Sequence, residues 1–182
     1  GRKMKFNRGK CFLAGTQILM SDTTAKYIED IEVGDEIKSC NLRHWNTYIR
    51  MYDIVDSVVT KLIREVQDDI VKLKFGSDGQ NTYIVIEDTF DHPFYVKGKG
   101  WCSYKPELTA ANYDLNNMFQ IRQLEIGDIC HQYDADAKLK DSAALTSIEE
   151  NIENVQTYSF EIDINSAIFA NNILVHTNEG VN

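Results

Sequence analysis

The stretch Gly9-Lys10-Cys11-Phe12-Leu13-Ala14-Gly15 sets a cysteine at the edge of an apolar run rather than inside one. A structural cysteine usually packs within such a run as a small hydrophobe. A thiol at the edge, beside a glycine turn, can instead reach a neighbouring backbone carbonyl. Such an attack needs a proton carrier and a hydrogen-bond partner for the peptide, and two places in the chain offer them. His92 lies in Asp88-Thr89-Phe90-Asp91-His92-Pro93, with a hydroxyl three residues before it and a proline that stops regular strand pairing after it. His176 ends the apolar run Asn172-Ile173-Leu174-Val175, and Thr177 separates it from Asn178.

The segments that must position these groups read as β-strands. Asp53 to Val59, Ile70 to Phe75 and Thr82 to Ile86 are rich in β-branched and aromatic residues, and the middle one alternates apolar with charged. The turn signal Gly76-Ser77-Asp78-Gly79 predicts a hairpin between the second and third. The chain also repeats itself. Ile28-Glu29-Asp30-Ile31-Glu32-Val33-Gly34-Asp35 returns 93 residues later as Ile121-Arg122-Gln123-Leu124-Glu125-Ile126-Gly127-Asp128, and Val66-Gln67 returns 89 residues later as Val155-Gln156. Nearly equal offsets predict two related subdomains about a pseudo-dyad. Ser103 to Asn117 reads as a turn-rich loop. Tyr133 to Asn154 reads as an acidic insertion with helical periodicity over Ala143 to Ile152.

Composition narrows the function. With 182 residues, 43% of them hydrophobic, the chain can bury one good core. A net charge of −9 and a pI near 4.9 argue against nucleic acid or an anionic membrane surface as partner. No signal-peptide pattern and no run of 18 apolar residues occur, so a soluble, intracellular monomer is the expectation. Cys11, Cys40, Cys102 and Cys130 lack the paired spacing of a zinc site; free thiols are expected, with no metal and no cofactor.

Together, Cys-Phe-Leu-Ala-Gly-Thr-Gln-Ile-Leu-Met with the downstream Ile-Glu-Asp-Ile-Glu-Val-Gly-Asp, the Thr89-x-x-His92 motif and Phe-Ala-Asn-Asn-Ile-Leu-Val-His-Thr-Asn resemble, in order, the blocks of intein or Hint (Hedgehog/intein) domains. With no homing-endonuclease segment between them, the chain is most similar to a bacterial intein-like domain or mini-intein. The resemblance implies an all-β Hint horseshoe of pseudo-two-fold related subdomains with short helical or loop insertions. It implies flanks at 1–10 and 179–182 around a self-processing domain at 11–178. Cys11 would attack the Lys10 carbonyl to give a thioester, Thr89 and His92 would hold and protonate the scissile peptide, and Asn178, aided by His176, would cyclise to release Glu179. The partners would be flanking polypeptides in cis, with amines or thiols as acceptors.

The resemblance also has departures. His176 and Asn178 are not adjacent, and Glu179 offers no nucleophile for ordinary branched splicing. Ser159 and Ser166 stand at the positions of an aspartate and a histidine found in many inteins, with Asp163 a candidate substitute. The alternative is a degenerate, non-catalytic Hint-fold linker or binding module.

Overall fold

The computed structural model describes residues 10–46, 51–76, 81–112, 120–134, 136 and 139–179. Among these the chain is built mostly of strands: β1 Phe12–Leu13, β2 Gln17–Leu19, β3 Ala25–Tyr27, β4 Glu36–Asn46, β5 Met51–Gln67, β6 Ile70–Gly76, β7 Tyr83–Thr89, β8 Phe94–Val96 and β9 Gly100–Ser103. One short helix follows, α1 Pro106–Asn112, and then β10 Arg122–Gln123, β11 Ile129–Tyr133, β12 Leu139–Asn151, β13 Val155–Ile162, β14 Ala167–Ala170, β15 Ile173–His176 and β16 Asn178–Glu179. All sixteen strands among the described residues belong to one continuous sheet.

The three strand expectations lie in β5, β6 and β7. In β6, Leu73 and Phe75 are buried while Lys72 and Lys74 reach toward solvent, the alternation of a strand with one face on the core. β6 and β7 pair antiparallel from Ile70 with Thr89 to Gly76 with Tyr83, as a hairpin requires. The turn residues Ser77 to Gly79 lie outside the described residues.

Two expectations need correction. Ala143 to Ile152 is not helical; nearly all of it is strand, in β12, which pairs with β6 along Ala144 to Asn151 and with β11 along Leu139 to Ala144. Pairing with β11 along its first half and with β6 along its second gives its backbone partners, and burial of Ala143 and Leu145 against the core overrides a weak helical pattern. Ser103 to Asn117 is not all loop either. Pro106 opens α1 with its fixed φ and without an N–H to leave unpaired.

The repeat is physical. Glu32 N–H and Asp35 N–H close one turn onto Asp35 Oδ2 (2.9 Å) and Glu32 O (3.1 Å); Glu125 and Asp128 do the same at 2.8 and 3.1 Å. Gly34 and Gly127 share the left-handed φ values of 95° and 97°, which a Cβ would strain. They donate equivalently to Val59 O in β5 and Leu145 O in β12, both at 2.8 Å. Lys26 pairs with Asp35 as Lys99 pairs with Asp128, both at 2.9 Å. The two Val-Gln copies meet across the sheet, Val66 opposite Gln156 and Gln67 opposite Val155, as symmetry-related antiparallel strands should. Each long strand thus completes the other half: β5 with β13, β6 with β12.

The main core gathers Phe12, Phe75, Phe94, Phe160 and their aliphatic neighbours, and a second cluster packs Cys40, Phe169 and Leu174 under Tyr52, Tyr95, Trp101 and Tyr133. All four cysteines are buried thiols, none of them in a disulfide. No helix among the described residues is long and apolar enough to cross a membrane.

Candidate active site

One edge of β13 gathers both ends of the described chain. Its other edge is filled by β5 along Val155 to Ile162. On the free edge β1 pairs antiparallel, Phe12 opposite Tyr158, and β16 pairs parallel, Asn178 opposite Glu161. Cys11 therefore arrives near Ser159, two residues short of Glu161, about 7 Å along the strand. The backbones flanking Lys10-Cys11 and Asn178-Glu179 meet there.

The Lys10-Cys11 peptide is held from both sides. Lys10 adopts a φ of 55°, a left-handed conformation that costs a non-glycine residue about 1–2 kcal/mol. Its N–H donates to Asp91 Oδ1 (3.2 Å). Cys11 N–H donates to Thr89 Oγ1 (3.3 Å), and Thr89 N–H returns a bond to Cys11 O (3.0 Å). The Thr89 hydroxyl donates to Asp91 Oδ1 (2.8 Å), so its lone pairs face the Cys11 amide. Thr89 thereby partners the Cys11 N–H; its own proton is already committed to Asp91.

His92 is buried against Phe12, ring centroids 4.3 Å apart, and its Nε2 lies 2.7 Å from His176 O. That contact makes Nε2 the protonated nitrogen and leaves Nδ1, which has no hydrogen-bond partner, with its lone pair. Burial, and then the charge of Lys10, push the imidazole down to about 3 against the bond to His176 O. It is neutral at pH 7. The buried His176 ring stands edge-on to Trp101 at 5.1 Å and is held well below its ordinary value by burial, Lys10 and His92. Cys11 is fully buried. Desolvation raises its thiol to about 12, the Thr157 hydroxyl opposes this, and Glu65 and Asp91 add to it.

The C-terminal approach is equally fixed. Thr177 N–H donates to Ser166 O (2.7 Å) and its hydroxyl to Phe160 O (2.9 Å), which makes it a buried spacer between His176 and Asn178. The structure thus brings Cys11, Thr89, His92 and His176 into one buried cluster with the backbone of Asn178 beside it. The side chain of Asn178 lies outside the described residues, as do 1–9 and 180–182.

Asp163 is a turn cap, accepting the Val58 and Ile164 N–H groups at 2.8 and 2.9 Å. Ser159 is buried on β13, and Ser166 contributes its carbonyl to the Thr177 contact. Sequence reasoning missed Asp91, although the T-x-D-H spacing contains it, and Asn112, which donates to Asp91 Oδ2 (2.8 Å) from a segment read as loop. It also missed Asp88, fully buried with both oxygens unpartnered and held far above the carboxylate range by burial and by Asp91. Among the described residues no cluster could hold a metal.

Comparison with known proteins gives two likenesses. The Ataxin-1 and HBP1 module (AXH) profile matches residues 12–135, two thirds of the chain. The chain belongs to the AXH family. HMG box-containing protein 1 of Rattus norvegicus is 28% identical over 126 residues, 66% of this chain and 23% of that protein; Ataxin-1 of Mus musculus is 25% identical over 119 residues, 65% and 14%. This AXH chain thus spans about a quarter or less of those relatives. In three dimensions it is similar to the bacterial intein-like domain from Clostridium thermocellum (TM-score 0.62, 24% identity, 92% of this chain and 99% of that one). It is also similar to a DnaB intein from Synechocystis (0.64, 15%, 92% and 98%). The AXH chain has the all-β Hint fold.

Proposed function

We propose that this chain is a self-processing Hint domain of the intein-like kind, whose main reaction is cleavage at Lys10-Cys11 through a thioester. The observation that carries the reading is the junction itself: a left-handed Lys10, its N–H on Asp91, the scissile N–H on Thr89, and a lone-pair nitrogen of His92 buried in the same cluster. Cys11 Sγ attacks the Lys10 carbonyl carbon, the C–S bond forms and the C–N bond breaks. The thiol proton passes to His92 Nδ1 and from there to the departing Cys11 amine, so the chain ends neutral in that respect, with a thioester at Lys10. Strain at Lys10 is relieved as the peptide opens.

Cleavage after Asn178 is the second reaction. The Asn178 carboxamide nitrogen attacks its own carbonyl carbon, closing a succinimide and freeing the Glu179 amine. The carbonyl that His92 holds is that of His176, two residues short of the scissile one, so this step is the slower of the two. Glu179 carries no nucleophile, and flanking polypeptides leave by cleavage rather than by branched splicing.

A non-catalytic binding module is the second reading, favoured by the AXH match and by a cavity of about 610 Å³ lined by Arg43, Tyr95, Trp101, Arg122 and Ser166 among others. Incubation with dithiothreitol followed by mass spectrometry decides between them. The thioester reading expects release of residues 1–10 as a thiol adduct, abolished by Cys11→Ala. A Cys11→Ala chain that cleaves as fast, or a native chain that stays intact for days, overturns it.

A further inference from the structure

Helix α1 reaches the junction from outside the strands and grips one residue there twice. Thr109, anchored to Ser103 Oγ (2.6 Å), lies 2.8 Å from Asp91 O, and Asn112, one turn later on the same helix face, donates its side-chain amide to Asp91 Oδ2 (2.8 Å). The other oxygen, Oδ1, takes the Lys10 N–H and the Thr89 hydroxyl. A single carboxylate therefore carries the helix on one oxygen and the scissile junction on the other. Ionised and held in that plane, it accepts the Thr89 proton and so turns the hydroxyl's lone pairs toward the Cys11 amide.

We propose that Asn112 is a positioning residue for the N-terminal junction, its amide holding the Asp91 carboxylate in the state and orientation that fix Lys10 and Thr89. Burial works against that state, and the bonds from Asn112, Thr89 and the Lys10 N–H work for it. Among the described residues the buried Asp88 of β7 and the Cys11 thiol feel the Asp91 charge. Without the Asn112 donor, Asp91 takes up a proton at higher pH. The new O–H then competes with the Thr89 hydroxyl, and the hold on the left-handed Lys10 weakens. The effect on cleavage rests on the thioester reading; the effect on Asp91 does not.

Two readouts keep these apart: the titration of the Asp91 carboxyl carbon by NMR, and thiol-induced cleavage against pH. In Asn112→Ala the Asp91 midpoint should rise by roughly one unit, the size expected for loss of one hydrogen bond to a carboxylate. Cleavage should fall roughly tenfold at neutral pH and gain a limb that rises with pH. Asn112→Gln, which keeps the amide, should recover part of both, and Glu107→Ala on the exposed side of α1 should change neither. Should Asn112→Ala fail to fold, Asn112→Ser is read in the same way. An unmoved Asp91 midpoint overturns the proposal, whatever happens to cleavage. A shifted midpoint in a chain whose native form never cleaves leaves the contact standing and removes the thioester reading. A shifted midpoint with cleavage unchanged overturns the positioning role.

Discussion

The pairing of a thiol near 12 with an imidazole near 3 makes an unusual demand on the pH profile of the N-terminal reaction. At neutral pH both groups are uncharged. The ion pair of thiolate and imidazolium lies well above that state, because burial opposes both charges. Yet the ion pair holds the same number of protons as the neutral pair, so its population does not change with pH between the two values. Passage of the Cys11 proton to His92 Nδ1 thus predicts a flat rate from pH 6.5 to 8.5, within about threefold. A route through thiolate formed by loss of a proton to solvent would rise about 100-fold over the same two units, and one that needs imidazolium formed from solvent would fall as much. The assay is the first-order release of residues 1–10 by mass spectrometry, at dithiothreitol concentrations high enough that the rate no longer depends on thiol. A unit slope of either sign refutes the internal transfer. His92→Ala, if it stays folded, should slow the flat rate by roughly 10² to 10⁴.

Two further outcomes follow from the same surroundings. Asp88 has a folded-state value above its unfolded one, raised by burial and then by Asp91, so it weakens the fold progressively as pH rises above about 4; Asp88→Leu should raise the unfolding free energy by about 1–3 kcal/mol at pH 8 and by less at pH 5, read by urea denaturation. A gain that shrinks as pH rises would contradict the assignment. Thr177 occupies the slot between the His92-held carbonyl and Asn178, so deleting it should speed cleavage after Asn178 by roughly tenfold, the worth of one better-placed hydrogen bond, with N-terminal cleavage unaltered; an unchanged C-terminal rate would show that the spacer is not what limits cyclisation.

What the sequence revealed and what it hid divide along physical lines. The strands of the first half were legible because β6 carries a period-two pattern with one face buried, and the segments of β5 and β7 are rich in β-branched and aromatic residues. The duplication was legible because each copy must rebuild the same turn, and Glu-x-Gly-Asp is the shortest sequence here that closes it onto its own aspartate. β12 was hidden: its outward positions are polar and charged, and it is a strand because β11 pairs its first half and β6, distant in sequence, its second. Thr89 and His92 stood out by spacing. Asp91 sat between them unread because an aspartate in a turn ordinarily caps local backbone, and the contacts that give it its place come from Lys10 and Asn112, 81 and 21 residues away. Asp163, which looked like a candidate for the site, is such a local cap.

Family and chemistry part company along the chain. The AXH match runs from residue 12 to residue 135, so it contains Thr89 and His92 but ends before β12, β13 and β16 and begins one residue after Cys11. It also contains both copies of the duplicated turn, hence the frame on which each half is built. What residues 139–179 add is the strand that β1, β5 and β16 all use as partner, and it is on that strand that the two ends of the described chain meet. The likeness to inteins, unlike the AXH match, extends over 92% of the chain and so takes in that strand. Membership in the family and the proposed reaction are therefore independent statements. The first describes a frame that a binding module and a self-processing domain can share; the second stands on Cys11 and the buried cluster beside it, and is tested by thiol treatment of the native chain and by variants at those positions.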